Sequence, residues 1–589
     1  MALELDLGLF ITLATLISFI WLLYSLFQMR RRIISGITGM SKASILGIIL
    51  IVAFFLAFSL LYMHPVEQLY FDENIYQGIA LNILHNFNSE WCQYGTGNLA
   101  TCYANAIYHD PVEISFYLAI AFGIFGAGTS TAYNVQLVFG TLSIIFVFAL
   151  AYALFNDERI AVSSSFIFSL MPELFIWSRT QAVPDLPFMM LTVLSFLSLA
   201  ALLKEENKAA FSFFFSSILL AVYMRIEGIL LIPMLFLLFM AFRKYGEKSI
   251  SGKINELINI DTSAILQLIF FLILLIPQAY YISYQLSNLN YGQSAANQSL
   301  FSLSNFYSNV LGGNYGYSCQ ILGSKLGPNI CYFLGFFDKA SYYPASFPAL
   351  ITAISAIGLL LLAFRKRKHR KICLASLAVW AASYYLFYGF FYAGSVTFGV
   401  DVRFMLEILP PISIFAGIAI SDVSSYISSF HAFRSGRAKN AAGALSFIAL
   451  LLAAGFYPFY TSSLQSITLA PSNMPQQSVI LPAMNFFYAN YSSVPKDCLV
   501  FTYTPDIWYE VNRSAAQISY INSQESAFLN NTSGYRCFVL DRGYWCNVPP
   551  ALGNGGCMNY IYGKKFSPLV IENYTGGLVF AYYNISNYR

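Results

Sequence analysis

The sequence predicts an α-helical polytopic membrane protein of about twelve transmembrane helices, with a small mixed or mostly β C-terminal domain outside the membrane. Three observations predict it. First, the 589 residues are 57% hydrophobic and only 10% charged, with a mean hydropathy of +0.60. A soluble domain carries roughly 25% charge, so the bilayer must solvate much of this chain. Second, apolar runs approaching the roughly 20 residues that cross a bilayer recur at about 8–28, 43–63, 132–155, 160–178, 184–203, 209–224, 228–242, 263–285, 346–363, 372–392, 404–422 and 442–462. Third, residues 463–589 turn rich in Tyr, Asn, Ser and Gly, with strand-like runs such as Cys498–Tyr503 and Leu578–Tyr583.

The first run follows an acidic start, Glu4 and Asp6, which lacks the basic segment of a cleavable signal peptide. The runs at 209–224 and 228–242 are short and are separated by Arg225 and Glu227. Basic residues gather after the first run (Arg30, Arg31, Arg32, Lys42) and after the seventh (Arg243, Lys244, Lys248, Lys253). They gather again at 365–371 and before the last run (Arg434, Arg437, Lys439). With twelve crossings these loops share one side, which the excess of Lys and Arg makes cytoplasmic. The net charge of +4 and the lack of a basic stripe give no sign of nucleic-acid binding. Loop 64–131, which carries no Lys or Arg, then lies outside, as do both termini.

Cysteine placement agrees. Cys92, Cys102, Cys319, Cys331, Cys498, Cys537, Cys546 and Cys557 all fall in outer segments, and only Cys373 falls in a span. An even set outside implies disulfides formed in an oxidising compartment. The expected local pairs are Cys92–Cys102 and Cys319–Cys331, with the four tail cysteines paired among themselves. The sequons at Asn297, Asn490, Asn512, Asn530, Asn531, Asn573 and Asn584 are outside as well.

The candidate chemistry sits at the outer membrane edge. Asp72-Glu73 precede Ile75, Ile79, Leu81, Ile83 and Leu84, whose spacing predicts an amphipathic helix on the membrane surface. The acidic pair offers a base and a second acid that orients it or shares a metal; a simple helix cap is the structural alternative. His109-Asp110-Pro111 precede a shorter apolar run, Ile114–Phe125, read as a second interfacial helix. His109 and Asp110 are candidates for gripping a sugar or a metal, or for forming a turn before a helix that Pro111 starts. Arg179, Arg225 and Arg403 stand at span ends, the last two read as lying on the lipid-exposed rim. Arginine binds phosphate oxygens through two parallel hydrogen bonds, so these cations suit a lipid phosphate. The structural alternatives are interfacial anchoring and, for Arg179, an ion pair with Asp185.

In order and spacing, this set resembles the C-type (GT-C) membrane glycosyltransferases, in particular the superfamily of protein O-mannosyltransferases and lipid A aminoarabinose transferases. The resemblance rests on Asp72-Glu73-Asn74-Ile75-Tyr76, His109-Asp110-Pro111, Arg179…Asp185-Leu186-Pro187, Arg225-Ile226-Glu227-Gly228 and Arg403-Phe404-Met405-Leu406…Leu409-Pro410. It implies a polyprenyl- or dolichyl-phosphate sugar donor, an acceptor hydroxyl on a protein, lipid or glycan, and transfer on the extracytoplasmic face of a plasma or ER-type membrane. Asp72, with Glu73 beside it, is the implied base. Arg225, Arg403 and Arg179 are the implied donor phosphate ligands, and His109, Asp110 and Asp185 are substrate or metal candidates. No cofactor is required, although a divalent metal at Asp72, Glu73 or His109 is compatible with the chemistry. On this reading residues 1–42 are an extra helix and a basic loop, 43–462 the catalytic membrane domain with outer loops 64–131 and 286–345, and 463–589 the outer domain. The tail carries no Trp-Trp-Asp motif, which favours single-sugar over en bloc transfer. A transporter and a membrane-anchored scaffold or receptor are the competing classes. The edge placement of the charges and the two long outer loops argue against the first, and the number of spans against the second.

Overall fold

In the computed structural model the described residues are 6–63, 72–108, 111, 113–179, 182–205, 207–243, 262–287, 349–364, 368–388, 406–428, 436–461, 477–522, 532, 534–547, 566–574 and 577–586. His109, Asp110, Arg403, Cys319, Cys331 and Cys557 lie outside them.

Two helices lead the chain, α1 (Leu7–Thr38) and α2 (Lys42–Tyr62). Asp6 caps α1 by accepting from the Leu9 amide at 3.0 Å, and Ser41 caps α2. Helix α1 runs past its apolar stretch and carries Arg30–Arg32 in its last turns. The next segments are α3 (Asp72–Asn86), the strands β1 (Trp91–Gly95) and β2 (Cys102–Ala106), and α4 (Glu113–Phe125). A run of membrane helices follows: α5 (Thr129–Phe155), α6 (Glu158–Ser169), α7 (Pro172–Arg179), α8 (Asp185–Lys204), α9 (Lys208–Met224), α10 (Leu231–Arg243) and α11 (Thr262–Ser287). It is completed by α12 (Ala349–Phe364), α13 (Lys368–Leu386), α14 (Leu409–Ser428) and α15 (Gly436–Thr461).

Six helices among the described residues have the length and hydropathy to cross a membrane alone, and α6 with α7 forms a seventh, bent by 62°. The bend falls where Pro172 opens α7, since proline has no N–H to continue the ladder of α6. Five shorter apolar helices, Lys208–Met224, Ile226–Ala241, Ala349–Phe364, Lys371–Leu386 and Ala441–Phe456, coincide with the remaining predicted runs. The short pair at 209–242 is real helix broken at Arg225, whose backbone is extended (φ −148°, ψ 148°). Gly228 lets the chain turn back tightly there, because a methyl group at that position would collide with the Ala221 carbonyl. Small residues also close the bundle: Gly358 of α12 abuts the Phe415 backbone of α14, and Gly417 of α14 abuts Ser164 of α6.

The tail holds α16 (Gln477–Asn490), β3 (Cys498–Thr502), α17 (Pro505–Glu510), β4 (Ser514–Gln517), β5 (Cys537–Arg542), β6 (Ser567–Asn573) and β7 (Val579–Asn584). Its sheet is mixed, as expected: β3 runs parallel to β4 and β5, and the other pairs are antiparallel. The strand order β2-β1-β4-β3-β5-β7-β6 brings in two strands from the loop after α3. Loop and tail therefore form one sheet, joined where Tyr94 and Gly95 pair with Ala516 and Ala515. Disulfides Cys92–Cys102 and Cys498–Cys537 brace it, and Cys546 is disulfide-bonded as well.

This sheet corrects one expectation. Helix α3 does not lie on a membrane surface with one wet face: every residue from Glu73 to Ile83 is buried. The hairpin β1–β2, α17 and α4 cover it from different sides. Periodicity reported the apolar face of α3, and covering by distant chain buried its polar face too.

The bundle has two chemically distinct ends. At the end carrying α3, Asn88 donates to Asp6 at 3.1 Å and Ser89 Oγ donates to the Gly8 carbonyl at 2.8 Å, which fixes the start of α1 to the loop. At the other end Arg32 pairs with Glu205, and Glu158 accepts from the Ser41 amide at 2.9 Å.

Candidate functional site

Asp72 and Glu73 open α3. Adjacent helical residues diverge by about 100°, and the two carboxylates find different partners. The Tyr108 hydroxyl donates to Asp72 Oδ1, while the Tyr133 hydroxyl, on α5, donates to Glu73 Oε2 at 3.2 Å. Glu73 is completely buried, whereas Asp72 keeps a partly exposed side chain. Tyr108 is itself held in place, because the Tyr281 hydroxyl of α11 donates to its carbonyl at 2.5 Å.

The first turns of α5 connect the acidic pair to the arginines. Tyr133 reaches Glu73, and Asn134 Oδ1 accepts from Arg179 Nη1 at 2.6 Å. Gln136 donates to the Val183 carbonyl at 2.7 Å, steadying the turn that begins α8. Asp185, at the head of α8, forms an ion pair with Arg225. Arg225 also donates to both oxygens of Glu227, at 3.0 and 2.8 Å.

Two expectations change here. Asp185 pairs with Arg225 and not with Arg179, because the break in α9 turns Arg225 back toward α8. Arg225 is not at a lipid-exposed rim either: its side chain is only 12% exposed and is held between two buried carboxylates. In a low-dielectric interior such a cation is an internal counter-ion. Arg179, by contrast, is half-buried and bonded to a neutral amide, and no carboxylate pairs with it among the described residues.

Residues that the pattern did not single out complete the site. Tyr384 stands in the last turn of α13, Tyr388 just beyond it, and Glu407 precedes α14; all three are buried close enough to Arg225 to feel its charge. The i, i+4 spacing of the two tyrosines was the available signal, but in a chain with 42 Tyr such a pair is unremarkable. Tyr108 stood beside the quoted His109, and only the fold shows that its hydroxyl serves Asp72. The described residues hold one compact group of potential metal ligands, Asp497 with Cys498 and Cys537, and its two sulfurs are bonded to each other.

The described fold thus sets an acidic pair at the head of its first loop helix and two arginines, Arg179 and Arg225, at the same end of the bundle. A family model described as dolichyl-phosphate-mannose-protein mannosyltransferase matches residues 109–281, the stretch holding Arg179, Asp185, Arg225 and Tyr281. The chain is similar in structure to ArnT from Cupriavidus metallidurans in the apo state, at 12% identity and a TM-score of 0.55, over 93% of this chain and 99% of that one. ArnT bound to undecaprenyl phosphate aligns at 10% identity and a TM-score of 0.54, over 92% and 98% of the two chains. The oligosaccharyltransferase AglB from Archaeoglobus fulgidus, in complex with an inhibitory peptide and a dolichol-phosphate, aligns at 12% identity and a TM-score of 0.51, over 92% and 74%. No curated protein matches in sequence. Together the likenesses over nearly the whole chain show a GT-C fold, and the mannosyltransferase model is matched over residues 109–281.

Proposed function

We propose that this protein transfers a sugar from a polyprenyl- or dolichyl-phosphate donor to an acceptor hydroxyl. One observation carries the reading: within a GT-C fold, a partly exposed Asp72 and an Arg179 without a carboxylate partner among the described residues lie at the same end of the bundle. Asp72 takes the acceptor proton as the acceptor oxygen attacks the anomeric carbon. The bond from that carbon to the phosphate oxygen breaks, and the lipid phosphate leaves with the electron pair. Arg179, with Arg403, neutralises it. A single displacement inverts the anomeric centre, and a phosphate leaving group needs no general acid. Glu73 orients the head of α3, and the Asp185–Arg225–Glu227 cluster holds α8 and α9 so that Arg179 faces the donor. A divalent metal at Asp72, Glu73 or His109 is compatible with this chemistry and not required by it.

The site is read as extracytoplasmic. Disulfides occupy its end of the molecule, and the basic cluster Arg30–Arg32, in the last turns of α1, lies at the other. The domain division at 42/43 and 462/463 is proposed on the same basis, with the tail serving as a cover for α3. Purified protein incubated with dolichyl-phosphate mannose and a panel of undecaprenyl-phosphate sugars should release lipid phosphate. If no donor in the panel were consumed with or without acceptor hydroxyls, the reading would fail.

A further inference from the structure

Helix α17 enters the sheet next to α3, and its Asp506 is completely buried against that helix. Contact is possible only because position 78 is glycine: a methyl group there would collide with the Asp506 carboxylate. Asp506 Oδ2 accepts from the indole Nε1 of Trp91 at 3.0 Å, across 415 positions of sequence. The Trp91 ring meets the Tyr108 ring edge-on, with centroids 6.2 Å apart, and Tyr76 of α3 meets Tyr108 from another side at 5.8 Å. The Tyr108 hydroxyl donates to Asp72. Each contact fixes the next, and the path runs from the tail to the candidate base.

We propose that Asp506 is a positioning residue: the tail sets Asp72 for proton transfer through Trp91 and Tyr108, and Gly78 is the notch that admits it. The proposal rests on the transfer reading above. Simple packing does not explain a carboxylate here. Burying one without full pairing is unfavourable, and Asp506 Oδ1 has no hydrogen-bond partner among the described residues. An apolar side chain would fill the same space without that penalty, but it would give the indole N–H no acceptor. Burial also pushes the Asp506 carboxyl well above its usual range. A neutral acid and a primary amide are close in shape and both accept from an indole, which makes asparagine the diagnostic replacement.

The test compares Asp506→Leu, Asp506→Asn and Trp91→Phe in the full chain. Turnover of dolichyl-phosphate mannose and hydrogen exchange across 72–80 are read in the same detergent samples. The expected result is a kcat about 10²-fold lower for Asp506→Leu and Trp91→Phe, as for a reacting group displaced by about 1 Å, with KM for the donor unchanged. Exchange at the head of α3 should rise in both, and Asp506→Asn should restore both readouts. Trp91→Phe keeps an aromatic ring, so it covers the case in which Asp506→Leu folds poorly. Folded Asp506→Leu and Trp91→Phe with wild-type kcat and exchange would overturn the proposal, as would an asparagine variant as impaired as the leucine one. If exchange responds as expected while wild-type protein turns over no donor, the contact is architectural and the transfer reading is what fails.

Discussion

Arg225 closes on Asp185 across the head of α8, and Glu227 completes the cluster from the turn that follows. The contact explains why a charged tripeptide can interrupt a hydrophobic hairpin: the charges face one another inside the bundle and not the lipid. It also sets the two arginines apart, since Arg225 lies between two carboxylates and Arg179 contacts the Asn134 amide.

Arg225→Ala should therefore damage the fold before the chemistry. Removing one member of a buried ion pair typically costs about 3–5 kcal/mol. The variant should lose most of its folded yield, or melt far below wild type in detergent, and Asp185→Asn with Glu227→Gln added should recover part of the loss. An Arg225→Ala protein with wild-type melting temperature would return Arg225 to the list of free donor ligands.

Arg179→Ala should do the reverse. Its Asn134 contact is replaceable by water, so the fold should survive, while donor affinity falls by the value of one charge-assisted hydrogen bond, about 1.5–3 kcal/mol or roughly 10- to 100-fold. Titration with undecaprenyl phosphate measures this, and an unchanged affinity would assign Arg179 to anchoring.

Much of this was legible locally. Apolar runs locate helices because a spanning helix must set its side chains against other helices or the lipid, and the extra-membrane cysteines at 92 and 102 could pair because few residues separate them. The pairing of Asp185 with Arg225 was not, since it depends on how the broken α9 turns back. Nor was the covering of α3 by helix α17, more than 400 positions away, where Asp506 meets Trp91. Asp72 could be seen heading a helix; that Tyr108 would hold it could not, because a tyrosine in a loop carries no periodic signal.

Asp541 offers a pH test of the outer sheet. It is buried and accepts from Trp508 Nε1 and Thr502 Oγ1, both at 2.9 Å. Burial dominates and raises its pKa from 3.8 to about 6. A raised carboxyl binds its proton more tightly when folded, so ionisation opposes folding: the stabilising contribution is complete below the unfolded value and is lost as pH rises toward about 6. The melting-temperature advantage of Asp541→Asn over wild type should grow between pH 4 and 6 and then level off. A difference independent of pH would show that folding leaves the Asp541 carboxyl unshifted.

Orientation has its own measurement. A cysteine at the exposed Ser492 of the tail should react with an impermeant thiol reagent in intact cells, and one at the exposed Ser35 of α1 should react only after lysis. The opposite pattern would place the site in the cytoplasm.

The central claim is that Asp72 is the base. Asp72→Asn preserves the side-chain shape and the oxygen that accepts from Tyr108, but not the basic carboxylate. Asparagine caps helices about as well as aspartate, so a purely structural Asp72 would tolerate the change. The measurement is the rate of sugar transfer by Asp72→Asn, with melting temperature and donor affinity read beside it. The account predicts a rate lower by about 10²–10⁴-fold with the other two unchanged; transfer at the wild-type rate would contradict it.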